Sequence, residues 1–466
     1  DHTEFTTAKQ AQSVVHQSGR EAMLSELYGV TNWDFDFRGH KFQGDWQAAL
    51  GVTVRVPHLS WVSMGGEAKR DYPASISYQS PWYREYSYVE NHFARVNTAM
   101  TRGKAVVRVG VIHPIESYWL HWGPAFTTAA VRGQINERFL NLTDWLLTGC
   151  IDFDFISESL LPTQCPKASA PLSVGEMSYD TILVPACETL RRSTVERLKK
   201  FREAGGNLIF LGDAPTLVDA VPSEDAKALW EQSRRIAFDR NAVLSALQDV
   251  RVLEIHNSTG ERANNLLYQM RQDTDCRWLF LAHATKAKDK DISAELPQHI
   301  RIRICGAYCP VLYDTISGEI RPMPYRIERG NTVIETTIYD NDSLLIQLTE
   351  TEETGLAAEE EKKEKIFETA LLGKVPYTRA EPNVLLLDTA MYALDDGDFQ
   401  PEEDILRLDN LCRSKLGWPL RGGAVAQPWV IEEEPISHSL TLRFRINSDM
   451  EISGTMLAIE DAENVK

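Results

Sequence analysis

The sequence predicts a mixed fold that is α/β in its first half and mostly β in its second. Two observations support this prediction. Up to about residue 247, helical stretches alternate with short apolar strands, which is typical of parallel sheets. After about residue 250, short strands of alternating polar and apolar residues follow one another, with turn residues between them. The length of 466 residues is sufficient for about three domains.

Residues 1–104 are predicted to form the closing part of a (β/α)8 barrel. The predicted elements are a helix over 6–19, a strand over 22–27, a helix ending at Gly51, a strand over 52–57 and a helix over 81–102. Repeated units of a helix and a buried strand indicate parallel strands. Because so few units are present and the chain begins at Asp1 within a motif, we expect it to be a fragment of a longer protein.

Residues 105–247 are predicted to form a flavodoxin-like domain of the class I amidotransferase type. Its apolar strands lie in VVRVGVIHP, DFDFIS, YDTILVPA and NLIFLGD, and helices are predicted over 129–147 and 193–204. No glycine-rich phosphate loop follows the first strand, which disfavours nucleotide binding. Cys187 follows a strand but lacks the neighbouring glycines of a nucleophile elbow, which disfavours amidotransferase activity.

The remaining sequence is predicted to be rich in β-strands. Residues 248–350 are predicted to form a β-sandwich, with strands in WLFLAHA, HIRIRICG, PVLYDT, TVIETTIYD and SLLIQL. Residues 351–382 contain the run EEEKKEK and are predicted to be a charged linker. Residues 383–466 are predicted to form a truncated β-sandwich or jelly-roll module, with strands in NVLLLDTA, LTLRFRIN and EISGTMLAIE.

Composition limits the classes of partner. The net charge of −18 disfavours binding to nucleic acid phosphates and to anionic membrane surfaces, so a neutral ligand fits better. No apolar run reaches the length of about 18 residues that a membrane-spanning helix needs. The seven cysteines lack the spacing of a disulfide framework, which predicts reduced thiols and a cytoplasmic protein.

One stretch, MLSELYGVTNWDFDFRGHKFQGDWQAALGVTVRVPH at 23–58, concentrates carboxylates and large aromatic side chains. Carboxylates hydrogen-bond hydroxyl groups and tryptophan faces cover the apolar side of a pyranose ring, so this stretch predicts a carbohydrate site. Glu26, at the end of the first predicted strand, is the candidate catalytic residue, because functional residues of (β/α)8 barrels lie at carboxyl ends of strands. The alternative is that Glu26 pairs with Arg20, Lys41 or Arg55 and closes the barrel.

The same stretch contains four candidate substrate-binding residues, which are Trp33, Asp34, Asp36 and His58. Asp34 and Asp36 are separated by one residue, so on an extended segment both side chains point the same way and can bind a sugar or a calcium ion. Ordinary loop capping is the alternative for both. His58 follows the second predicted strand, where it can bond a sugar hydroxyl or the leaving oxygen. Its alternative role is that of a buried imidazole bonded to a backbone carbonyl.

Two further tryptophans, Trp61 and Trp119, are candidates for substrate binding. Trp61 and Trp82 flank the loop segment EAKRDYP, and one of the pair is predicted to be a stacking platform. Trp119 lies after the first strand of the flavodoxin-like domain. We expect its loop to close over the barrel mouth or a neighbouring subunit, and simple packing between domains is the alternative.

The order of these motifs resembles the late barrel region of glycoside hydrolase family 106, the α-L-rhamnosidases. The matching features are the helix TTAKQAQSVVHQSG, the strand end SELYG, the aromatic turn at Asn32 and Trp33, a helix containing DW, and a GVT strand with a histidine at its end. The domain order is also similar to that of the family 42 β-galactosidases, in which the second domain supports oligomerisation. That likeness makes a homo-oligomer one expectation.

The resemblance implies a glycoside hydrolase that acts on carbohydrate without a cofactor. Glu26 matches the late-strand glutamate of family 106 and His58 the residue at the following strand end, whereas the earlier catalytic carboxylate has no counterpart in this chain. Glycoside cleavage needs two carboxylates, so we expect the parent protein to be active and this chain alone to be inactive. A β-galactosidase-like glycosidase and a non-catalytic carbohydrate-binding or scaffold protein are the alternatives.

Overall fold

The computed structural model describes residues 4–31, 35–62, 76–80, 82–285, 297–357, 370, 373–379, 384–420, 436–449, 451–459 and 465. The chain divides into two compact units. The first unit comprises 1–27, 36–56 and 86–362, and the second comprises 28–35, 57–85 and 363–466. The mixed α/β and β character that the sequence predicts is confirmed.

The first unit begins with helices alternating with two strands. The elements are α1 (Phe5–Gln17), β1 (Met23–Leu27), α2 (Phe37–Ala49), β2 (Val52–Pro57) and α3 (Ser87–Met100). A 3-10 turn at Tyr83–Tyr86, most of which belongs to the second unit, precedes α3 in sequence. Strands β1 and β2 hydrogen-bond to each other in a two-stranded sheet. Glu4 caps α1 by accepting hydrogen bonds from the backbone N–H groups of Thr6 and Thr7. The elements predicted for this region are present, although the last helix begins at Ser87 rather than near residue 81.

Each of these two strands has one covered and one open side. Met23 and Leu27 of β1 are buried, whereas Leu24 between them is 63% exposed. Val54 and Val56 of β2 are also exposed, while helix α1 packs against β1. Successive strand residues point to opposite sides of the strand. The side that no helix covers therefore exposes apolar side chains to solvent in this chain.

A parallel sheet forms the middle of the first unit. The elements of this region are β3 (Lys104–Ala105), β4 (Val109–Ile112), α4 (Ile115–Leu120), α5 (Ala125–Thr148), β5 (Phe153–Ile156), α6 (Leu161–Gln164), β6 (Leu172–Val174), β7 (Met177–Tyr179), β8 (Thr181–Val184), β9 (Thr189–Leu190), α7 (Arg192–Glu203), β10 (Asn207–Leu211), β11 (Leu217–Val218), β12 (Val221–Pro222), α8 (Asp225–Glu231), β13 (Arg234–Ile236) and α9 (Arg240–Ala246). The sheet has the order β13-β10-β8-β4-β5, and its neighbouring strands run parallel. Strands β4, β5 and β8 are buried throughout, as expected for a parallel sheet covered on both faces.

Two antiparallel sheets follow and enclose a core of their own. The strands are β14 (Leu253–Asn257), β15 (Leu266–Gln272), β16 (Arg277–His283), β17 (Gln298–Cys305), β18 (Tyr308–Tyr313), β19 (Ile320–Pro322), β20 (Tyr325–Glu328), β21 (Asn331–Ile338), β22 (Ser343–Glu350) and β23 (Gly355–Leu356). The first sheet has the order β14-β17-β21-β20-β23, and the second has the order β19-β18-β22-β16-β15-β3. In β17 the residues alternate between buried and more exposed, so its side chains divide between a core face and an outer face.

One apolar cluster runs through all three regions of the first unit. Its members include Met23, Trp46 and Leu50 from the first region, Val109, Phe153 and Leu183 from the parallel sheet, and Phe280 and Leu345 from the antiparallel sheets. Helix α1 packs on β5 and helix α2 packs on β16, which brings the three regions into contact. This shared cluster crosses the predicted boundaries near residues 104 and 247, and the parallel sheet and the antiparallel sheets each have a further apolar cluster of their own.

The second unit contains a small antiparallel sheet and a helix. Its elements are β24 (Thr389–Leu394), β25 (Gln400–Asp404), α10 (Ile405–Leu416) and β26 (Leu440–Arg443). Strand β24 lies between β25 and β26, and Tyr392 packs with Leu408 and Cys412 of the helix. The sequence interpretation named only strands here, whereas α10 is helical and 451–459 contains no strand. Residues 358–369, 371–372 and 380–382 of the predicted charged linker lie outside the described residues.

Candidate functional site

Glu26 lies one residue before the end of β1, on the same side of the strand as the exposed Leu24. Its side chain is exposed. Two of the cations considered as its partners are engaged elsewhere, because Lys41 Nζ lies 2.6 Å from Asp45 Oδ2 and Arg55 Nη2 lies 2.9 Å from Glu90 Oε2. The observed ion pairs of Lys41 and Arg55 are therefore with Asp45 and Glu90 rather than with Glu26.

The loop that follows β1 has an unusual backbone. Tyr28 and Val30 have φ angles of 72° and 55°, in the left-handed region that side chains other than glycine rarely adopt. Such residues cost about 1–3 kcal/mol each and cluster at binding and catalytic sites. Tyr28 is fully buried and packs against Phe35, with ring centroids 5.9 Å apart. The fold thus holds a strained loop directly after the candidate carboxylate.

His58 and Trp61 belong to the second unit, as does the loop after β1. Gly29 of that loop lies against the imidazole of His58, because a Cβ placed on Gly29 would be 3.5 Å from His58 Cγ. The segments that leave β1 and β2 therefore adjoin at these residues. The backbone carbonyl of Trp61 accepts a 2.8 Å hydrogen bond from Gln79 Nε2, which links the backbone at Trp61 to the side chain of Gln79.

Asp36 caps helix α2. Its side chain accepts hydrogen bonds from the backbone N–H groups of Arg38 and Gly39 and pairs with the Arg38 guanidinium. Partial burial alone would raise the pKa of Asp36, but Arg38 and the two backbone donors lower it overall. This arrangement is the capping alternative considered for Asp36, and it positions α2. The predicted site residues Trp33 and Asp34 lie outside the described residues.

Trp119 lies on α4 in the first unit and is 56% exposed. Trp122 and Phe126 next to it in sequence are also exposed, and the Arg132 guanidinium stacks on the Trp122 ring at 4.9 Å. Trp119 therefore forms part of an exposed aromatic surface of the parallel-sheet region.

A buried ionic cluster joins α1 to the parallel sheet, and the sequence interpretation did not find it. Lys9 Nζ lies 2.5 Å from Asp152 Oδ1 and 3.9 Å from Asp154 Oδ1, and the Lys9 side chain is fully buried. His16 Nδ1 lies 2.9 Å from Asp154 Oδ1, and the Tyr179 hydroxyl donates to Asp154 Oδ2. Burial alone would raise the pKa of Asp154, but His16 and Lys9 lower it overall. The cluster holds α1 in one position on β5.

A second buried network joins α2 and α3 to the antiparallel sheets. His92 Nε2 lies 2.6 Å from Asp45 Oδ1, and His92 Nδ1 lies 2.8 Å from the Thr315 hydroxyl. The second oxygen of Asp45 bonds Lys41, which also donates to the Asn341 carbonyl. Burial alone would raise the pKa of Asp45, but Lys41 and His92 lower it to about 2. The hydroxyl, imidazole and carboxylate follow the order of a nucleophilic triad, but all are buried and link elements of the core.

Glu158, just after β5, is a carboxyl group with a strongly shifted pKa. Burial raises its pKa to about 7, against the opposing hydrogen bond from the backbone N–H of Arg191. Burial also raises the pKa of the nearby Cys187 thiol, and the charge of Glu158 adds to that increase. A protonated thiol is a poor nucleophile, which agrees with the prediction that Cys187 does not act as one.

In the described part of the chain, no group of three histidine, cysteine, aspartate or glutamate side chains is arranged to hold a metal ion. Over the same residues, no helix has the length and apolar character needed to cross a membrane.

Comparison with known proteins gives a likeness of fold. No protein-family model and no curated protein matches the sequence. The structure of a rhamnosidase from Novosphingobium sp. PP1Y matches with a TM-score of 0.54 at 16% identity, covering 84% of this chain and 36% of that chain. This chain thus spans about a third of the rhamnosidase, and its fold is one found in a glycoside hydrolase.

Two further matches have lower TM-scores. An exo-carrageenase of family GH42 from Bacteroides ovatus matches with a TM-score of 0.49 at 9% identity, covering 74% of this chain and 44% of that chain. A β-galactosidase from Bacillus circulans sp. alkalophilus matches with a TM-score of 0.48 at 11% identity, covering 74% of this chain and 58% of that chain.

Proposed function

We propose that this chain forms the later part of a glycoside hydrolase whose best-supported substrates are α-L-rhamnosides. The observation that carries the proposal is the exposed carboxylate of Glu26 at the carboxyl end of β1, followed by a strained loop. Functional residues of (β/α)8 barrels lie at this position. The fold likeness to the Novosphingobium rhamnosidase supports both the reaction class and the sugar.

In this proposal β1 and β2 are neighbouring strands of a (β/α)8 barrel. Their open sides, with Leu24, Val54 and Val56, face the barrel interior, where further strands bury them. A longer protein supplies those strands, which accords with the chain spanning 36% of the rhamnosidase. The parallel sheet is the flavodoxin-like domain of 105–247, and the antiparallel sheets are the β-sandwich of 248–350.

Glu26 acts as one member of the catalytic carboxylate pair. In glycosidases one carboxyl group protonates the leaving oxygen, while the other is the nucleophile or the base for water. Trp33, Asp34, His58, Trp61 and Trp119 remain the predicted substrate-binding residues of the proposal, with His58 as a predicted partner of a sugar hydroxyl. Asp36 contributes by positioning α2 through its capping bonds. The second carboxylate comes from the part of the barrel outside this chain.

The decisive experiment compares the longer protein with its Glu26→Gln variant on nitrophenyl glycosides, including the α-L-rhamnoside and the β-D-galactoside. We expect turnover by the parent and a loss of at least about a hundredfold in kcat for Glu26→Gln, because general acid–base catalysis contributes that much or more. Folding is expected to be unchanged, because glutamine has nearly the same shape and volume as glutamate. The chain of 466 residues by itself is expected to show no turnover.

The control is Glu203→Gln, which alters an exposed carboxylate on α7 and is expected to keep the parental rate. Near-parental rates for Glu26→Gln would show that Glu26 is structural. Turnover by the short chain would contradict the requirement for a second carboxylate from outside. Binding of rhamnose or galactose by calorimetry, without turnover of any glycoside by the parent, would favour the carbohydrate-binding alternative.

A further inference from the structure

A cavity of about 350 Å³ lies at the amino-terminal ends of β1 and β2. Its walls come from the end of α1, the residues ahead of each strand, the end of α3 and strands β7 and β15. All of these segments belong to the first unit. The volume falls at the lower end of the range of about 300–1,000 Å³ that is typical of small-molecule sites.

Three residues that line this cavity each have a buried side-chain polar atom without a hydrogen-bond partner within the described structure. These atoms are Gln12 Nε2, Gln269 Oε1 and the Thr53 hydroxyl oxygen. Gln12 and Gln269 are each only 1% exposed. Leaving a buried polar group unpaired costs about 1–3 kcal/mol, so native structures pair such groups with protein, water or ligand.

The orientation of the Gln12 amide is fixed by the buried ionic cluster. Lys9 Nζ lies 2.5 Å from Gln12 Oε1 and can only donate a hydrogen bond, so the contacting atom must be the oxygen. The NH₂ group is therefore the end left unpaired. Gly51 packs closely against the same side chain, because a Cβ on Gly51 would lie 2.8 Å from Gln12 Cγ. The donor of Gln12 is thus held in place rather than free to turn toward another partner.

Three of the four basic residues that line the cavity, His16, Lys104 and Arg271, contact a carboxylate or backbone carbonyls, and Arg20 is exposed. Lys104 Nζ lies 3.4 Å from Glu176 Oε2. The Arg271 guanidinium donates to the backbone carbonyls of Arg102 and Gly103 at 2.6 and 2.8 Å. An anionic ligand such as phosphate is recognised by cations with free donors, which these contacts reduce. A neutral ligand suits this lining better.

We infer that this cavity binds a small neutral polyhydroxylated molecule of about monosaccharide size. A hydroxyl group both donates and accepts, so adjacent hydroxyls complement an amide donor, an amide acceptor and a threonine hydroxyl on residues that line the cavity. Glu26 lies four residues along β1 from Ala22 at the cavity, which is about 13 Å at about 3.3 Å per residue. The cavity is therefore a second site at the opposite end of β1, and it does not depend on the proposed catalytic function.

Calorimetric titration of this chain with D-glucose, L-rhamnose and myo-inositol tests the inference, with inorganic phosphate as the charged comparison. We expect at least one polyol to bind more tightly than phosphate. Gln269→Leu and the nearly isosteric Thr53→Val should each weaken that binding about tenfold, which corresponds to about 1.4 kcal/mol. Both variants should keep or raise the melting temperature, because each removes an unpaired buried polar atom.

Glu26→Gln is the matched control and should leave polyol binding unchanged. Weaker polyol binding by Glu26→Gln would place the bound molecule near Glu26 and overturn the inference. No binding of any of the three polyols, tighter binding of phosphate, or unchanged binding in both cavity variants would also overturn it. Hydrogen exchange of the unaltered chain provides a measurement that needs no variant. Slower exchange on polyol addition should be confined to 12–22, 51–53 and 266–272, and slowing only elsewhere would contradict the proposed location.

Discussion

At the scale of single residues, burial sets the protonation of several carboxyl groups in opposite directions. Burial of Glu158 outweighs the lowering effects of Arg191 and Thr194, so its pKa rises to about 7. Asp45 is equally buried, but Lys41 and His92 bond both of its oxygens and lower its pKa to about 2. The contrast shows that the hydrogen-bond partners rather than burial alone decide the charge of these groups.

Glu158 makes a prediction about pH. Its pKa is raised in the folded state above the ordinary value of 4.5, so the stability from its protonated form is present below about pH 4.5 and is lost as pH rises through about 7. Glu158→Gln should therefore raise the free energy of unfolding by up to about 3 kcal/mol at pH 8 and change it little at pH 4.5. Denaturant unfolding of both proteins at the two pH values checks this. An equal effect at both values would contradict a raised pKa.

The sequence could indicate some of the residues of the candidate site but not others. Glu26 follows directly from a local pattern, because a short apolar strand that ends in a carboxylate is visible in a few residues. The pairing of Lys9 with Asp152 is not visible in this way, since 143 residues separate the two. Asp36 had two interpretations in the sequence, and the capping bonds to Arg38 and Gly39 depend on where α2 begins.

At the scale of elements, close packing between α2 and α3 depends on a glycine. Gly44 lies within α2 and faces the ring of Phe93 on α3, where a Cβ would be only 2.1 Å from Cζ. The same ring also contacts the Arg55 guanidinium of β2, with the guanidinium carbon 3.9 Å from the ring centroid. The Phe93 ring is fully buried, so it has little room to move.

Gly44→Ala should therefore destabilise the protein, although alanine is the better helix former. We expect a loss of about 1–3 kcal/mol in the free energy of unfolding, as is typical of overpacked cores. The matched control is Gly133→Ala in the exposed part of α5, where a Cβ would meet nothing within 4 Å. That change should stabilise the protein by up to about 1 kcal/mol through helix propensity. Urea unfolding of both variants decides the matter, and a stabilising Gly44→Ala would contradict the packing described for α2 and α3.

Most helices and strands of the first unit could be predicted from the sequence, because their periodicity is local. Strand β2 has the predicted bounds, and β17 and β22 fall where alternating apolar residues placed them. Helix α10 was missed although it has regular helical bounds in the structure. It lies in the chain between two strands of one sheet, and the sequence pattern predicts strands only on either side of it.

At the scale of the whole molecule, the three regions of the first unit share one apolar cluster, although the parallel sheet and the antiparallel sheets also have clusters of their own. The apolar cluster passes from the first region through the parallel sheet to the antiparallel sheets, and two buried polar networks cross the same boundaries. The sequence could not show this sharing, because helix α1 and strand β5 are far apart in the chain. The predicted boundaries mark changes in strand pattern, and the core continues across them.

This continuity predicts cooperative unfolding of the first unit. Lys9→Met leaves Asp152 and Asp154 buried without their cation, and breaking a buried ion pair costs about 3–5 kcal/mol. The loss should lower hydrogen-exchange protection of the most protected amides equally in β8 and β16, although neither strand contains Lys9. Lys104→Met, which alters an exposed pair with Glu176, should change protection by less than about 1 kcal/mol. Loss of protection in β8 with none in β16 would show that the regions unfold separately.

The open sides of β1 and β2 also bear on the behaviour of this chain in solution. Leu24, Val54 and Val56 form an apolar surface on a two-stranded sheet, and a sheet of that size has little stability of its own. Exposed apolar strand surface promotes contact between molecules, and the charge of −18 opposes it by mutual repulsion. Raising the salt concentration screens that repulsion and leaves the apolar surface unchanged. Colloidal stability of the isolated chain should therefore be greatest at low ionic strength and fall as salt is added.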